Sequence, residues 1–333
     1  MNGVFVQFEP MEVSANSSNP TLASQPGQAN ARLHWTQVFA QHARQHPWLL
    51  AGLSVSVAWV LFMLVQAVLH EGRDLSNPVF QWAMLGSGAG FLATTLGATP
   101  ALFLKQLTSK VEDTLLGVAA GMMLAAAAFS LIIPGIEAGE SIMGSALSGS
   151  GLVVLGLAMG VLLMMGLDAF TPHEHVNTGP CGPGYERCHR VWLFVLAVAI
   201  HNLPEGMAVG VSFSQGDLST GLPLATAIAV QDIPEGLAVA MSLRAIGLSP
   251  FKAIGIAALG GLLEPLGALF GMALVGTSML AYPIGLGLAA GAMLFVVSHE
   301  VIPETHRNGH QLAATNGLMA GFALMMVLDT GLG

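Results

Sequence analysis

The decapeptide HNLPEGMAVG at residues 201–210 is followed thirty residues later by a near copy, QDIPEGLAVA, at residues 231–240. Both lie in apolar stretches of about twenty residues, the length that an α-helix needs to cross a bilayer core. An ionised carboxylate at the centre of a membrane helix costs roughly 2.5–3.5 kcal/mol, so a repeated Pro-Glu pair in this setting indicates a compensating cation. The two segments therefore predict membrane helices that bind metal ions.

The composition of the chain supports this interpretation. Hydrophobic residues make up 53% of the 333 residues and charged residues only 9%, which excludes an ordinary soluble globule. The hydrophobic pattern predicts an all-α, polytopic membrane protein embedded in a lipid bilayer. Nine candidate spans lie at about 48–70, 78–104, 113–136, 149–170, 191–214, 221–243, 253–277, 281–302 and 312–332.

The chain divides into parts of different composition. Residues 1–45 are rich in Asn, Ser, Gln and Pro and lack the order of regions found in a signal peptide, so we expect a disordered cytoplasmic tail. The segment 48–70 predicts an additional transmembrane helix ahead of the main bundle. Residues 78–333 predict an eight-helix transport domain, interrupted by a cytoplasmic loop at 171–190.

The distribution of basic residues predicts the orientation. Nine of the ten Lys and Arg residues fall on one side of the nine spans, and only Arg73 falls on the other. Because basic residues of short loops stay in the cytoplasm, we expect a cytoplasmic amino terminus and an external carboxyl terminus. The outer loops carry Glu137, Glu140 and Asp217, whose charge would concentrate cations at the mouth. Alternatively, these acids merely solvate the loops.

An internal repeat indicates a two-fold architecture. LGVAAGMML at residues 116–124 recurs as LGLAAGAML at residues 286–294, with seven matches in nine positions. These segments belong to the third and eighth spans, which cross the membrane in opposite directions. Such inverted repeats flank a site at the membrane midplane in many transporters. The alternative is that Gly and Ala recur wherever membrane helices pack closely.

The decapeptides place metal-ligand side chains on one helix face each. His201 and Glu205 are four residues apart with Asn202 alongside, and the second copy repeats this pattern. Glu264 is the sole charged residue of the seventh span, and we expect it to form a third side of the same metal site. Taken singly, an intramembrane His or Asn can serve helix packing, and a Pro-Glu pair can relay protons. The predicted cluster is His201, Asn202, Glu205, Gln231, Asp232, Glu235 and Glu264.

The chemistry of this cluster favours particular metals. Its four carboxylates have no Lys or Arg within the fifth to seventh spans, and two divalent cations would balance their charge. Imidazole combined with carboxylates suits zinc and its first-row neighbours, whereas an all-oxygen cage suits magnesium or calcium. Towards the cytoplasmic side, further candidate ligands for metal release are Asp168, His173, His175, His299, Glu300 and His310. For the two loop histidines, 173 and 175, simple solvation explains their presence almost as well.

At these residues the chain resembles the ZIP (Zrt-, Irt-like) family of divalent metal transporters, close to its bacterial members. The hallmark of that family is H-N-x-P-E-G on one core helix and a related x-x-x-P-E-G on the next, and the resemblance extends from about Leu85 to the carboxyl terminus. It implies eight core helices in a 3+2+3 arrangement, with the first three and last three related by inversion. It also implies a binuclear centre. One metal is then held by His201, Glu205, Gln231 and Glu235, and the other by Asn202, Asp232 and Glu264, with Glu205 and Glu235 as bridges.

The resemblance also implies an activity. Family members move zinc, and often cadmium, iron or manganese, into the cytoplasm by an elevator-like sliding of one helix group against the other. It places the protein in the bacterial inner membrane and makes a homodimer plausible. Entrance ligands are implied at Ser130 and Glu137, joined by Asp329, and exit ligands at Asp168, His173, His299, Glu300 and His310. The additional helix and the histidine-poor cytoplasmic loop depart from the family pattern.

Two other functions remain open at this point. An intramembrane zinc metallohydrolase would use a metal-bound water and a Glu general base, and it predicts an H-E-x-x-H helix. That motif is absent from the sequence, where His173-Glu174-His175 has the wrong spacing. A metal sensor or structural membrane protein would bind zinc without moving it. We therefore expect a transporter rather than an enzyme, with metal ions and lipid as partners and no nucleic acid.

Overall fold

Long helices account for almost all of the described chain. A computed structural model describes residues 77–105, 107–170, 173–175, 179–181, 190–275 and 278–332, with isolated positions at 44, 47, 51 and 54. The predicted tail at 1–45 and the additional helix at 48–70 lie essentially outside these ranges and stay predictions. The helices are α1 (Pro78–Ala98), α2 (Ser109–Ala125), α3 (Ile133–Met143), α4 (Ala146–Phe170), α5 (Arg190–Phe213), α6 (Leu218–Ala245), α7 (Pro250–Gly261), α8 (Leu263–Val275), α9 (Ala281–Val296), α10 (Ile302–Thr305) and α11 (Gln311–Leu332).

Several of these helices form continuous spans. The π-helix Ala126–Ile132 joins α2 to α3, and the π-helix Val297–Val301 joins α9 to α10. Six described helical segments are long and apolar enough to cross a membrane, which confirms the prediction of a polytopic all-α membrane protein. These six are Ser109–Met143, Ala146–Asp168, Leu218–Ala245, Pro250–Val275, Ala281–Thr305 and Gln311–Leu332. A 3₁₀ turn, Thr99–Leu102, extends α1, and a short antiparallel hairpin pairs β1 (His173–His175) with β2 (Gly179–Cys181).

Local sequence signals set the helix boundaries. The side chain of Asn77 accepts a hydrogen bond from the backbone N–H of Val79 at the start of α1, where Pro78 occupies the first helical position. Asp217 caps α6 in the same way by accepting from the backbone N–H of Ser219 at 2.9 Å. Hydrogen bonds from Ser219 hold the pKa of the Asp217 carboxyl below its ordinary value. At the end of α3, Gly144 adopts a φ of 77°, which favours glycine.

The bundle has two chemically distinct ends. We call the end that carries Lys105, Lys110, Arg244, Lys252 and Arg307 the basic end, and the end that carries Glu137, Glu140 and Asp217 the acidic end. Successive spans alternate in direction, so α1 begins and α11 finishes at the acidic end. The sequence analysis likewise assigned the basic group to one side of the membrane and the acidic group to the other.

Helix pairing follows an inverted two-fold pattern. The main pairs are α1 with α6, α8 with α5, α2 with α11, and α9 with α4. The spans α1, α2–α3 and α4 correspond to the spans α7–α8, α9–α10 and α11, and α5 corresponds to α6. This correspondence converts the α1–α6 pair into the α8–α5 pair, and the α2–α11 pair into the α9–α4 pair. The two π-helices follow the two copies of the repeated LGxAAG sequence. The internal repeat in the sequence thus corresponds to a repeat in helix packing.

Glycines allow the paired helices to touch backbone to backbone. In the α4–α9 pair, a Cβ added to Gly287 or Gly291 would overlap the backbone of Val153 or Leu157. In the α2–α11 pair, Gly117 and Gly121 lie in the same way against the backbone of Ala314 and Leu318. Such small-residue contacts let membrane helices approach closely enough for dense van der Waals packing.

Replacing Gly291 with alanine is expected to destabilise the protein by about 1–3 kcal/mol, because the added methyl group has only the Leu157 backbone to displace. Thermal unfolding in detergent micelles measures the loss. Gly151→Ala is the matched control, since a Cβ at that position has no heavy atom within 4 Å. Equal melting temperatures for the two variants would show that the close contact is not structural.

Candidate metal centre

The two decapeptides lie on neighbouring helices and face each other. His201, Asn202 and Glu205 lie on α5, and Gln231, Asp232 and Glu235 lie on α6. Each of these six side chains is buried, with at most 6% of its surface exposed. Asp232 is at the middle of α6, roughly 20 Å along the axis from either helix end. The predicted ligands of both helices therefore lie deep within the bundle.

Three carboxylates form the centre of this cluster. Glu205, Asp232 and Glu235 each offer an oxygen atom, and these oxygens lie within 4.8 Å of one another. Gln231 Nε2 donates a hydrogen bond to Glu205 Oε1, which ties the two helices together. Glu205 Oε2, Gln231 Oε1 and both carboxylate oxygens of Asp232 are buried without a hydrogen-bond partner. Acceptor atoms concentrated in this way are suited to a cation.

Glu264 brings a fourth carboxylate from α8. The span that contains it is broken between α7 and α8, so Glu264 lies in the first turn of α8 rather than inside a continuous helix. A Cβ added to Gly206 would overlap the backbone of Glu264, and this close approach sets Glu264 beside the α5 ligands. Glu264 is fully buried, and its Oε2 has no hydrogen-bond partner. Broken membrane helices commonly border substrate sites.

Within the part of the chain that the structure describes, no Lys or Arg side chain pairs with these acids. The ion pairs recorded among the described residues are His299 with Asp168, Arg307 with Glu304 and His310 with Asp113, and all of them lie towards the basic end. Arg244, on the same helix as Glu235 but more than two turns further on, donates to the carbonyl oxygen of Leu248. Buried like charges without a counter-charge are strongly destabilising, so the cluster requires bound cations or protons to persist.

The predicted release residues lie towards the basic end. His299 Nε2 is 3.9 Å from Asp168 Oδ2, and both side chains are partly exposed. Glu300 is half-buried beside His299. His173 lies on β1 together with His175, and the positions of their side chains are not among those described. The structure thus brings Asp168 and His299 together at this end.

Sequence reasoning missed one residue at the basic end. Asp113 is only 1% exposed, and its Oδ2 lies 2.9 Å from His310 Nδ1. Its other oxygen accepts a hydrogen bond from Asn308 Nδ2 at 2.8 Å. Asp113 therefore fixes the ring of His310, one of the predicted release ligands. Asp113 is the first residue of a predicted span, and an acid at the edge of a span is expected to be solvated. For this reason the sequence did not single it out.

The predicted entrance residues lie towards the acidic end. Ser130, in the first π-helix, is 2% exposed and donates a 2.6 Å hydrogen bond from Oγ to Asp329 Oδ1 on α11. Glu137, two turns further along, is exposed. Asp217 instead has both carboxylate oxygens engaged by the start of α6, so its main role is helix capping. The structure thus brings Ser130 and Asp329 together, and their role as entrance ligands stays a prediction.

A polytopic bundle with buried, uncompensated carboxylates on two Pro-Glu-Gly helices defines an integral membrane protein with a candidate cation site. Comparison with known proteins identifies the family. The profile described as "ZIP Zinc transporter" matches residues 177–329. The zinc transporter ZIPB of Bordetella bronchiseptica is 57% identical over 87% of this chain and 94% of its own length. The chain belongs to the ZIP family.

More distant relatives agree with this assignment. The zinc transporter GufA of Myxococcus xanthus is 44% identical over 72% of this chain and 95% of its own length. Human zinc transporter ZIP11 is 30% identical over 77% of this chain and 98% of its own length. Because these relatives are transporters, the comparisons support a transport protein and give the metallohydrolase alternative no support.

Proposed function

We propose that the protein carries zinc across the inner membrane into the bacterial cytoplasm, through a binuclear site between α5, α6 and α8. The observation that carries this proposal is the buried cluster of Glu205, Asp232 and Glu235 with its unpartnered oxygens. The names of the relatives supply the metal. Cadmium, and first-row divalent metals other than zinc, are further substrates in this proposal.

The donor set supports zinc as the substrate. An imidazole with carboxylate and amide oxygens matches the ligands that zinc accepts in proteins. In the proposed arrangement, His201, Glu205, Gln231 and Glu235 hold one ion. Asn202, Asp232 and Glu264 hold the other, and Glu205 and Glu235 bridge the two. Repulsion between the two bound ions weakens the hold on each, which favours release as transport requires.

The two ends of the bundle give the proposed route. Zinc enters at the acidic end past Ser130, Glu137 and Asp329, where negative charge raises its local concentration. It leaves at the basic end through exchange among Asp168, His173, His299, Glu300 and His310. Because the basic end faces the cytoplasm by the positive-inside rule, this route leads inwards.

The glycine contacts support a sliding mechanism for this transport. In the described residues, each glycine whose added Cβ would overlap backbone meets backbone of its own group of helices. One group contains α1, α5, α6, α7 and α8 with all seven central ligands, and the other contains α2, α3, α4, α9, α10 and α11. Across the seam, Gly285 meets only side chains, with Val211 Cγ1 at 3.3 Å. Tight contacts within groups and looser contacts between them suit an elevator-like movement.

Filling the seam is expected to stop this movement without removing the metal site. Gly285→Leu would place a branched side chain against Val211, and zinc flux should fall at least about tenfold while zinc binding is kept. The control is Gly151→Leu, at an open position on α4. Adding Val211→Ala to Gly285→Leu should restore part of the flux. Unimpaired flux in Gly285→Leu would argue against sliding at this seam.

Zinc flux into proteoliposomes tests the transport assignment itself. Purified protein in sealed vesicles should admit zinc at a rate above that of empty vesicles, and Glu235→Ala should reduce the rate to the empty-vesicle level. Glu304→Gln, at an acid that pairs with Arg307 towards the basic end and lies outside the cluster, controls for the change in charge. Protein that binds zinc but leaves the flux at background would instead be a sensor or a structural protein.

The proposal extends to assembly. A homodimer is implied by the family resemblance, and light scattering of the detergent-purified protein would measure its mass. Transport through α5, α6 and α8 of a single chain does not depend on that outcome.

A further inference from the structure

Helix α1 approaches the carboxylates at a residue without a side chain. Gly90 is buried, and a Cβ added to it would overlap Glu264 Oε2. The same Cβ would lie 2.8 Å from Asp232 Oδ2 and 2.9 Å from the Cδ of Glu264. The space that Gly90 leaves free is therefore the space that two of the four carboxylates occupy.

One turn further along α1, Thr94 contacts the same carboxylate. Its Oγ1 lies 3.3 Å from Glu264 Oε1 and 3.2 Å from the carbonyl oxygen of Gly90, and it is 3% exposed. An ionised carboxylate is the stronger acceptor of the two, so Thr94 donates to Glu264 when that group is charged. Glu264 Oε2 then remains the free oxygen, buried and without a hydrogen-bond partner.

The backbone around Thr94 is held close to the metal-binding helix α6. A Cβ added to Gly236 would overlap the Thr94 carbonyl oxygen, and Gly236 directly follows Glu235. At Gly261, next to the break before α8, a Cβ would lie 3.3 Å from the Cβ of Thr94. Thr94 is therefore fixed by its neighbours from both α6 and the α7–α8 break, and it cannot follow Glu264 if that side chain turns away.

We propose that α1 forms a further wall of the second metal site, in which Gly90 provides the space for Glu264 and Asp232 and Thr94 positions Glu264. This inference rests on the proposed binuclear site and adds two positioning residues to it. With Oε1 held by Thr94, Glu264 offers one oxygen to the metal. A one-oxygen carboxylate keeps the coordination number low, as zinc prefers, whereas metals with higher coordination numbers also accept carboxylates through both oxygens.

The Gly90→Ala variant tests whether Glu264 needs the free space beside Gly90. The methyl group meets the flexible end of Glu264 rather than backbone, so the protein should fold while the carboxylate is displaced. Isothermal titration with zinc should show two ions bound per wild-type chain, and affinity at the second site reduced at least about tenfold in Gly90→Ala. Gly88→Ala on the same helix is the control, because a Cβ there has no heavy atom within 4 Å.

A compensating change separates loss of space from general damage. Glu264→Asp shortens the side chain by one methylene group, so Gly90→Ala combined with Glu264→Asp should recover second-site binding relative to Gly90→Ala alone. Unchanged binding in Gly90→Ala would overturn the proposal, and so would a loss that the double variant fails to repair. A wild type that binds fewer than two zinc ions would overturn it as well, since α1 would have no second site to complete.

The relative affinity for zinc and manganese tests the positioning role of Thr94. Thr94→Val removes the hydroxyl at nearly constant volume and frees Glu264 Oε1, so the ratio of zinc to manganese affinity should fall at least about fivefold. Thr94→Ser keeps the hydroxyl and should keep the ratio. Equal ratios in wild type, Thr94→Val and Thr94→Ser would refute the positioning role. Failure of the proposed function is a separate result: wild type that binds two zinc ions without transporting them.

Discussion

Zinc flux is expected to fall at least about a hundredfold when Glu205 is replaced by alanine, because a buried charge that pairs with a cation is worth roughly 2–5 kcal/mol. Glu205 contributes an oxygen to the carboxylate centre and accepts the hydrogen bond of Gln231. Its loss therefore removes a proposed bridging ligand and frees Gln231 from its position. Flux into proteoliposomes, measured at equal protein content, gives the size of the effect.

The charge and the volume of Glu205 can be separated. Glu205→Gln keeps the side-chain volume and an acceptor for Gln231, so this variant should fold normally yet lose flux nearly as fully as Glu205→Ala. Glu304→Gln is a suitable control, since Glu304 pairs with Arg307 towards the basic end and lies outside the proposed ligand set. Flux in Glu205→Gln that stays within about threefold of wild type would rule out a charge-bearing ligand at this position.

Metal-free protein is expected to become more stable when Glu264 is replaced by glutamine. Among the described residues these four buried acids have no basic partner, so without metal each one costs stability either by charge repulsion or by the uptake of a proton. Glutamine avoids both costs at one position, and the free energy of unfolding should rise by about 1–3 kcal/mol. The same change should abolish transport, since it removes a proposed ligand of the second site. Thermal unfolding in the presence of a chelator measures the gain, which is expected at neutral pH.

Zinc should reverse the order of stability. Zinc at a hundredfold excess over its dissociation constant stabilises a one-site protein by about 2.7 kcal/mol, and wild type has two proposed sites. Wild type should therefore gain more from zinc than Glu264→Gln does. Glu140→Gln, at an exposed acid, should change neither the stability of the metal-free protein nor the gain in stability from zinc. A Glu264→Gln protein that is less stable than wild type without metal would mean that the buried acids carry no such cost.

The central ligands could be predicted because their signal is local. His201 and Glu205 are one helical turn apart, and a charged or amide side chain in an apolar stretch stands out without knowledge of the fold. Glu264 was identified because its span contains no other charge. The structure buries all of these side chains and brings carboxylate oxygens of Glu205, Asp232 and Glu235 within 4.8 Å of one another. Their role as zinc ligands stays a proposal.

Other parts of the site depend on tertiary contacts that leave little trace in sequence. Gly90 matters for the atom it lacks, and it looks like any other glycine of a packed membrane helix. Thr94 carries a hydroxyl that membrane helices commonly satisfy within their own backbone, as it also does here with Gly90. The π-helices and the break before Glu264 were likewise absent from the predicted spans, because hydropathy does not distinguish a continuous helix from a broken one.

The central claim is that the buried carboxylates hold zinc on its way across the membrane. Anomalous X-ray scattering at the zinc edge, from crystals grown with zinc, tests it most directly. We predict two peaks about 3.5–4 Å apart, the spacing of bridged two-metal sites, between Glu205, Asp232 and Glu235 and next to Glu264. Zinc bound elsewhere in the protein at saturating concentration, with this cluster free of metal, would contradict the account.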